Sequence, residues 1–181
     1  GISAFAPLGS ATMIFSSLEH DEHGFASEDP VDREAMVEKR LRKFETIAKS
    51  IPEEEKLALH GDPSAKVTLV SFGSTKQAIL SAMEELERDG VRVRFLQLRV
   101  LSPFPSKTVT DILGDDPGIV ISVEANSTGQ LAFLIRAHTG IEVKHLIQKL
   151  NARPLYDVEV VYGVKRILSE GARRVVVSGG A

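Results

Sequence analysis

Val67-Thr68-Leu69-Val70-Ser71-Phe72-Gly73-Ser74-Thr75-Lys76-Gln77-Ala78-Ile79-Leu80 is the stretch on which the fold turns. Its first six residues are β-branched, apolar or aromatic apart from one serine, and none is charged. That is the composition of a strand covered on both faces. Gly73 breaks the run, and Ser74 with Gln77 has the spacing of a capping box, which predicts a helix opening there. Ile79, Ala82, Met83 and Leu86 recur at three-and-four spacing until Asp89-Gly90 stops the helix.

The same alternation repeats towards the carboxyl end. Val91 to Leu101 reads as a second strand, half exposed at its start, where Arg92 and Arg94 alternate with Val91, Val93 and Phe95. Ser102-Pro103-Phe104-Pro105 ends it, and a short helix through Val109, Ile112 and Leu113 leads to the turn Gly114-Asp115-Asp116-Pro117-Gly118. Ile119 to Val123 is a third strand, followed by a helix with Leu131, Leu134 and Ile135 inward. A short strand is expected within Val143–Gln148, and a helix from Tyr156 to Ser169 with Val158, Val161 and Leu168 on one face, closed by Gly171. The connections are too long for hairpins. The chain is therefore an α/β protein, with a mostly parallel sheet of about four to five strands and helices on both faces.

Upstream the pattern differs. Gly1 to His20 has no clear period, and a strand around Thr12–Ser16 is the only element suggested there. Pro30 stands at a first helical position with Asp29 as cap and Asp32 and Glu34 in the opening turn. Ala35, Val37, Leu41, Phe44, Ile47 and Ala48 then form one apolar stripe until Pro52, opposite Lys39, Arg40, Arg42 and Lys43. This predicts a helical appendage over residues 30–50, joined by a linker at residues 51–63, which hold two of the eight prolines and an acidic run. Residues 1–60 carry 12 acidic and 7 basic side chains, and the remainder 13 and 15.

Composition excludes several function classes. A net charge of −3, with both signs mixed, argues against nucleic acid as a partner. Zero cysteines exclude a disulfide framework, a thiolate nucleophile and a cysteine-ligated cluster on this chain. No apolar run spans a bilayer and no signal peptide is visible, so the expectation is a cytoplasmic protein without a membrane partner. Gly1 in place of Met suggests a piece of a longer polypeptide.

Candidate site residues lie at the expected strand ends, where open α/β sheets bind ligands or partners. Glu124, Asn126, Thr128 and Gln130 cluster after the third strand, as hydrogen-bonding groups able to meet a facing chain, with a simple helix cap as the structural reading. Gly73-Ser74-Thr75-Lys76 lacks the glycines of a phosphate loop and reads as a capped turn. His20-Asp21-Glu22-His23 packs two imidazoles and two carboxylates together. Successive loop side chains rarely converge on a metal, so neither a metal site nor a catalytic residue is assigned, and His20 and Glu22 are kept as interface candidates.

Leu18-Glu19-His20-Asp21-Glu22-His23-Gly24, followed by Glu28-Asp29-Pro30 and Met36-Val37-Glu38-Lys39-Arg40-Leu41-Arg42-Lys43, resembles the α subunit of 2-oxoacid:ferredoxin oxidoreductases. Val123-Glu124-Ala125-Asn126-Ser127-Thr128-Gly129-Gln130-Leu131 resembles the same family, and Leu101-Ser102-Pro103-Phe104-Pro105 and Arg153-Pro154-Leu155 fit its pattern. Ser16-Ser17 and Asn151-Ala152-Arg153 depart from it, where Thr-Gly and Asp-Gly-Arg are usual. The resemblance implies a thiamine-diphosphate enzyme that decarboxylates a 2-oxoacid oxidatively with coenzyme A and sends electrons through iron–sulfur clusters to ferredoxin.

The resemblance further implies that residues 1–60 are the tail of a pyrimidine-binding domain with the amphipathic helix and linker, and 61–181 a transketolase carboxy-terminal-like domain. The family's Tyr-Pro-Ile-Thr-Pro motif and its activating carboxylate are absent. No cofactor is then expected on this chain alone. Thiamine diphosphate, Mg and iron–sulfur clusters belong to the complete enzyme, and the implied partners are a thiamine-diphosphate-binding β subunit, γ and δ subunits, and ferredoxin through the complex. This portion would be structural and docking. The alternatives are the carboxy-terminal domain of a transketolase or of a 2-oxoacid dehydrogenase β-type subunit, and a free-standing α/β ligand-binding module.

Overall fold

The computed structural model describes residues 7, 9, 10, 17–114 and 117–179; the strand expected around Thr12–Ser16 and the turn residues Asp115 and Asp116 lie outside them. The chain divides into two compact units, Gly1–Ile51 and Pro52–Ala181.

In the first unit, β1 (Glu19–His20) and β2 (Ala26–Ser27) form a small antiparallel ribbon, and α1 (Pro30–Ser50) follows. Asp29 caps α1 as the sequence predicts, its carboxylate accepting from Val31 N at 2.7 Å, with Pro30 at the start, where its missing N–H costs nothing. The apolar stripe of α1 buries no residue: Val37, Leu41 and Phe44 are exposed.

The second unit is built on a six-stranded sheet. Its strands are β3 (Leu57–Gly61), β4 (Val67–Phe72), β5 (Val93–Leu98), β6 (Ile119–Glu124), β7 (His145–Lys149) and β8 (Arg174–Val177), in the order β3-β5-β4-β6-β7-β8. Five strands run parallel and β3 lies antiparallel on the edge beside β5. The mostly parallel sheet agrees with the sequence, but two edge strands were not foreseen. β3 and the short helix α2 (Glu53–Lys56) occupy residues read as linker, and β8 follows the last expected helix. Both are short, and their alternation is too brief to register as a pattern.

Helices α3 (Lys76–Arg88) and α6 (Asp157–Glu170) cover one face, and α4 (Ser106–Leu113) and α5 (Gln130–Thr139) cover the other. Leu69, Phe95, Ile121, Val123 and Ile147 point to the first layer, and Val70, Leu96, Leu98 and Val120 to the second. This alternation explains why β4 reads as an unbroken apolar run. Gly163 lets α6 settle onto β7: a Cβ there would lie 2.6 Å from Ile147 Cδ1. Two details depart from expectation. The capping box at Ser74 does not form, because Gly73–Thr75 is a 3₁₀ turn and Thr75 turns its hydroxyl back to Ser71 and to the Phe72 carbonyl. Val158 is exposed, since Val160, Val161, Val164 and Ile167 make the buried face of α6. Among the described residues no helix is long and apolar enough to cross a membrane.

Candidate functional site

The parallel strands β4 to β8 deliver their carboxyl ends to one edge of the sheet, and their polar residues gather there. Ser71 Oγ donates to the Val123 carbonyl and accepts from Thr75, both at 2.5 Å, so the turn after β4 is tied to β6. Next to it, Glu124 ends β6 as a buried carboxylate, only 1% exposed. Read from the sequence as a group facing a neighbour, it is turned inward. The register puts Ser122 and Glu124 on the face covered by α5, and the helix opens directly above them.

A carboxylate removed from water must be met by donors. Glu124 has four: Ser122 Oγ at 2.6 Å, Asn126 Nδ2 at 2.6 Å, Leu131 N at 2.9 Å and Ala132 N at 3.2 Å. The last two are free N–H groups of the first turn of α5, whose dipole also favours an anion. Glu124 thus caps α5 from a neighbouring strand, and this helix start cannot also receive an external anion through those N–H groups. Asn126 is half-buried and equally committed, its Oδ1 accepting from Gly129 N at 2.8 Å and, more distantly, from Thr128 N and Gln130 N. Gly129 adopts φ +68°, where an added Cβ would meet Leu146 Cδ1 at 3.2 Å.

Two further residues, which sequence reasoning missed, hold the same loop. Gln148 of β7 is fully buried and donates to the Asn126 carbonyl at 2.9 Å. Its Oε1 accepts from Arg174 Nε of β8 at 2.7 Å, and Arg174 Nη2 donates to the Ser127 carbonyl at 3.3 Å. No local signal marks Gln148 or Arg174, because their partners lie 22 to 47 residues away. The outcome is a loop fixed from three strands that exposes the side chains of Ser127, Thr128 and Gln130, none with a hydrogen-bond partner among the described residues.

Beyond this loop, Lys149 ends β7 fully buried. Its Nζ donates to both Glu159 oxygens, at 2.9 and 2.8 Å, and to the Gly179 carbonyl at 2.7 Å, and lies 4.8 Å from the centre of the Tyr156 ring. Glu159 also accepts from Tyr156 N and so starts α6. In the turn between them Ala152 stands at φ +59°, where the resembled pattern has glycine. A concavity of about 620 Å³ opens at the opposite, amino ends of β6 and β7, between Gly118, Glu142 and Lys144. Its charged margin, Glu142 with Arg136 and Arg173, is exposed and joins no buried polar network.

In the first unit, His20 and Glu22 are exposed and do not converge with other ligating groups. Asp21 builds the turn instead, accepting from His23 N at 2.8 Å and Phe25 N at 2.9 Å, and these backbone donors, Phe25 first, hold its carboxyl below the ordinary range. Glu19 receives Arg40 in a two-pronged pair at 2.6 and 2.9 Å and Arg33 at 2.8 Å; Arg40 chiefly lowers its pKa. Among the described residues no three His, Asp or Glu side chains gather as metal ligands.

Comparison with known proteins agrees with this architecture. The family model for pyruvate:ferredoxin oxidoreductase core domain II matches residues 65–166. The chain is 58% identical over its whole length to 2-oxoacid:ferredoxin oxidoreductase 2, subunit alpha, of Aeropyrum pernix, and 44% identical, again over its whole length, to the subunit alpha of Saccharolobus solfataricus. It spans 28% of the length of each. Among solved structures, 2-oxoglutarate:ferredoxin oxidoreductase from Magnetococcus marinus, with 2-oxoglutarate, coenzyme A and succinyl-CoA bound, superposes with a TM-score of 0.67 at 26% identity, covering 90% of this chain and 28% of that one.

Proposed function

Since the chain belongs to the family of pyruvate:ferredoxin oxidoreductase core domain II, we propose that it is the carboxy-terminal portion of the α subunit of a 2-oxoacid:ferredoxin oxidoreductase, serving there as a structural and docking domain. The observation that carries the reading is the identity of 58% over the full chain to one such subunit. The complete enzyme would convert a 2-oxoacid and coenzyme A to the acyl-CoA and carbon dioxide, passing two electrons to ferredoxin in the cytoplasm. Its partners would be a thiamine-diphosphate-binding β subunit and, where the subunits are divided further, γ and δ subunits. The tail of the pyrimidine-binding domain with its helix would be Gly1–Ile51, and the transketolase carboxy-terminal-like domain would begin at Pro52 instead of residue 61, because β3 pairs within its sheet.

Thiamine diphosphate supplies the carbanion chemistry of such enzymes when bound. The residues described here do not fit it. Glu124 at the end of β6 and Glu159 in the first turn of α6, the buried carboxylates, are consumed by internal donors, and no ligand set for its magnesium is gathered among the described residues. The cofactor, its metal and the iron–sulfur clusters are therefore assigned to the rest of the assembly.

The contribution proposed for this chain is presentation. Thr128 and Gln130 stand exposed on the loop fixed by Glu124 and Asn126, and His20 and Glu22 on the turn fixed by Asp21, and these outward groups would meet the neighbouring domain or subunit. Placing arginine at Thr128 and at Gln130 of the full-length α subunit tests this. Weakened association with the β subunit and slower 2-oxoacid- and coenzyme-A-dependent ferredoxin reduction are expected. Unchanged association and turnover overturn the docking role, and reduction of NAD in place of ferredoxin by the unmodified complex overturns the enzyme assignment.

A further inference from the structure

Resting on the docking reading, we infer that Arg174 and Gln148 are positioning residues for the loop Ala125–Gln130, so that the last strand of the sheet sets the geometry of the docking surface. The sheet register aligns the groups involved. Leu146 pairs with Arg174, and Glu124 with Gln148, so Glu124, Gln148 and Arg174 share one face in three successive strands. α5 packs over β6 on that face, and Arg174 and Val176 of β8 remain exposed. An arginine at an open sheet edge has water for its five donors and needs no protein acceptor. Here two of its nitrogens are nevertheless directed inward along the face, Nε to the buried Gln148 amide and Nη2 to the Ser127 carbonyl.

Gln148 completes the link. Its amide is fully buried, and both ends are used, Oε1 by Arg174 and Nε2 by the Asn126 carbonyl. Two consecutive loop carbonyls, those of Asn126 and Ser127, thus receive donors from β7 and β8, while the amides of Thr128, Gly129 and Gln130 are held by Asn126 Oδ1. Helix capping needs only Glu124 and Asn126. The additional donors act on the part of the loop that carries the exposed Ser127, Thr128 and Gln130 side chains. Holding a contact segment in its bound shape before binding removes the ordering cost at association.

The test uses the full-length α subunit with its β subunit. Arg174→Met, which removes both hydrogen bonds to the loop and to Gln148, is expected to weaken their association about tenfold and to speed amide exchange at Thr128–Gln130, with the melting temperature lowered by no more than about 5 °C. Arg174→Lys, which keeps the charge and one donor nitrogen, should recover most of the affinity. Thr128→Arg is measured in parallel. If Thr128→Arg weakens association and Arg174→Met does not, the positioning role is overturned and the docking reading stands. If neither variant weakens it, both fall together. Loss of affinity in Arg174→Met with a melting temperature lowered by more than about 5 °C, and no recovery in Arg174→Lys, makes Arg174 a stability residue and overturns the inference.

Discussion

Two carboxylates do comparable jobs in the two units, and by different physics. Glu124 ties the start of α5 to the end of β6 from inside the protein, its donors being two backbone amides, the buried Ser122 and the half-buried Asn126. Glu19 ties the β1–β2 ribbon to α1 from outside, through two long guanidinium side chains that are themselves exposed. Lys149 and Glu159 repeat the first arrangement, and Arg42 with Glu38 the second. A buried, saturated carboxylate holds one geometry because any alternative leaves it unpaired, whereas an exposed pair trades freely with water and salt. The loop proposed for docking belongs to the buried kind.

The buried arrangement is most sensitive at Lys149. Lys149→Met leaves Glu159 buried without its partner and should cost about 3–5 kcal/mol in urea unfolding, while adding Glu159→Leu should return much of that loss. If the single variant unfolds like wild type, the buried pair is not the linkage described here. Glu124→Gln keeps the shape but turns an amide N–H₂ towards donors, and a loss of roughly 1–3 kcal/mol by the same measurement is expected. In the first unit, Asp29→Ala should remove about 1 kcal/mol from the α1 cap, read as an approximately fivefold faster exchange of the Val31 amide in the intact chain.

A smaller effect of opposite sign is expected at Ala152. Glycine relieves the left-handed backbone there but frees the unfolded chain, so Ala152→Gly should stabilise by about 0.5 kcal/mol. The smallest effect concerns Glu19. Its pKa is lowered in the folded state, chiefly by Arg40, so its contribution is complete above the unfolded carboxylate value of about 4.3 and is lost as pH falls through the lower folded value. The guanidinium NMR signals of Arg33 and Arg40 should follow that acid transition, and Glu19→Gln should abolish it there, while the amides of His23 and Phe25 still follow the separate titration of Asp21.

Much of this was legible in the residues, for identifiable reasons. The strand at Val67–Phe72 and the helix after it announce themselves because a strand buried on both faces must be apolar throughout and an amphipathic helix must repeat at three and four. Asp29-Pro30 announces a helix start because cap and missing N–H act within one turn. The loop Glu124–Gln130 was found as a polar cluster at a strand end, the place where parallel sheets expose their contacts. Its inner orientation was not legible. Nothing in Val-Glu-Ala-Asn states that the carboxylate reaches forward seven residues to Leu131 N, since that depends on where α5 lands.

Local spacing and residue type thus carry the α/β class, the parallel run of strands, the capped α1 and, through the motifs, the family. That Glu124 and Asn126 serve the interior, that Leu57–Gly61 and Arg174–Val177 close the sheet, and that Gln148 and Arg174 reach the loop emerges from the folded arrangement. Those outcomes depend on strand order and register, which bring together residues up to 47 positions apart and leave no periodic trace in the chain.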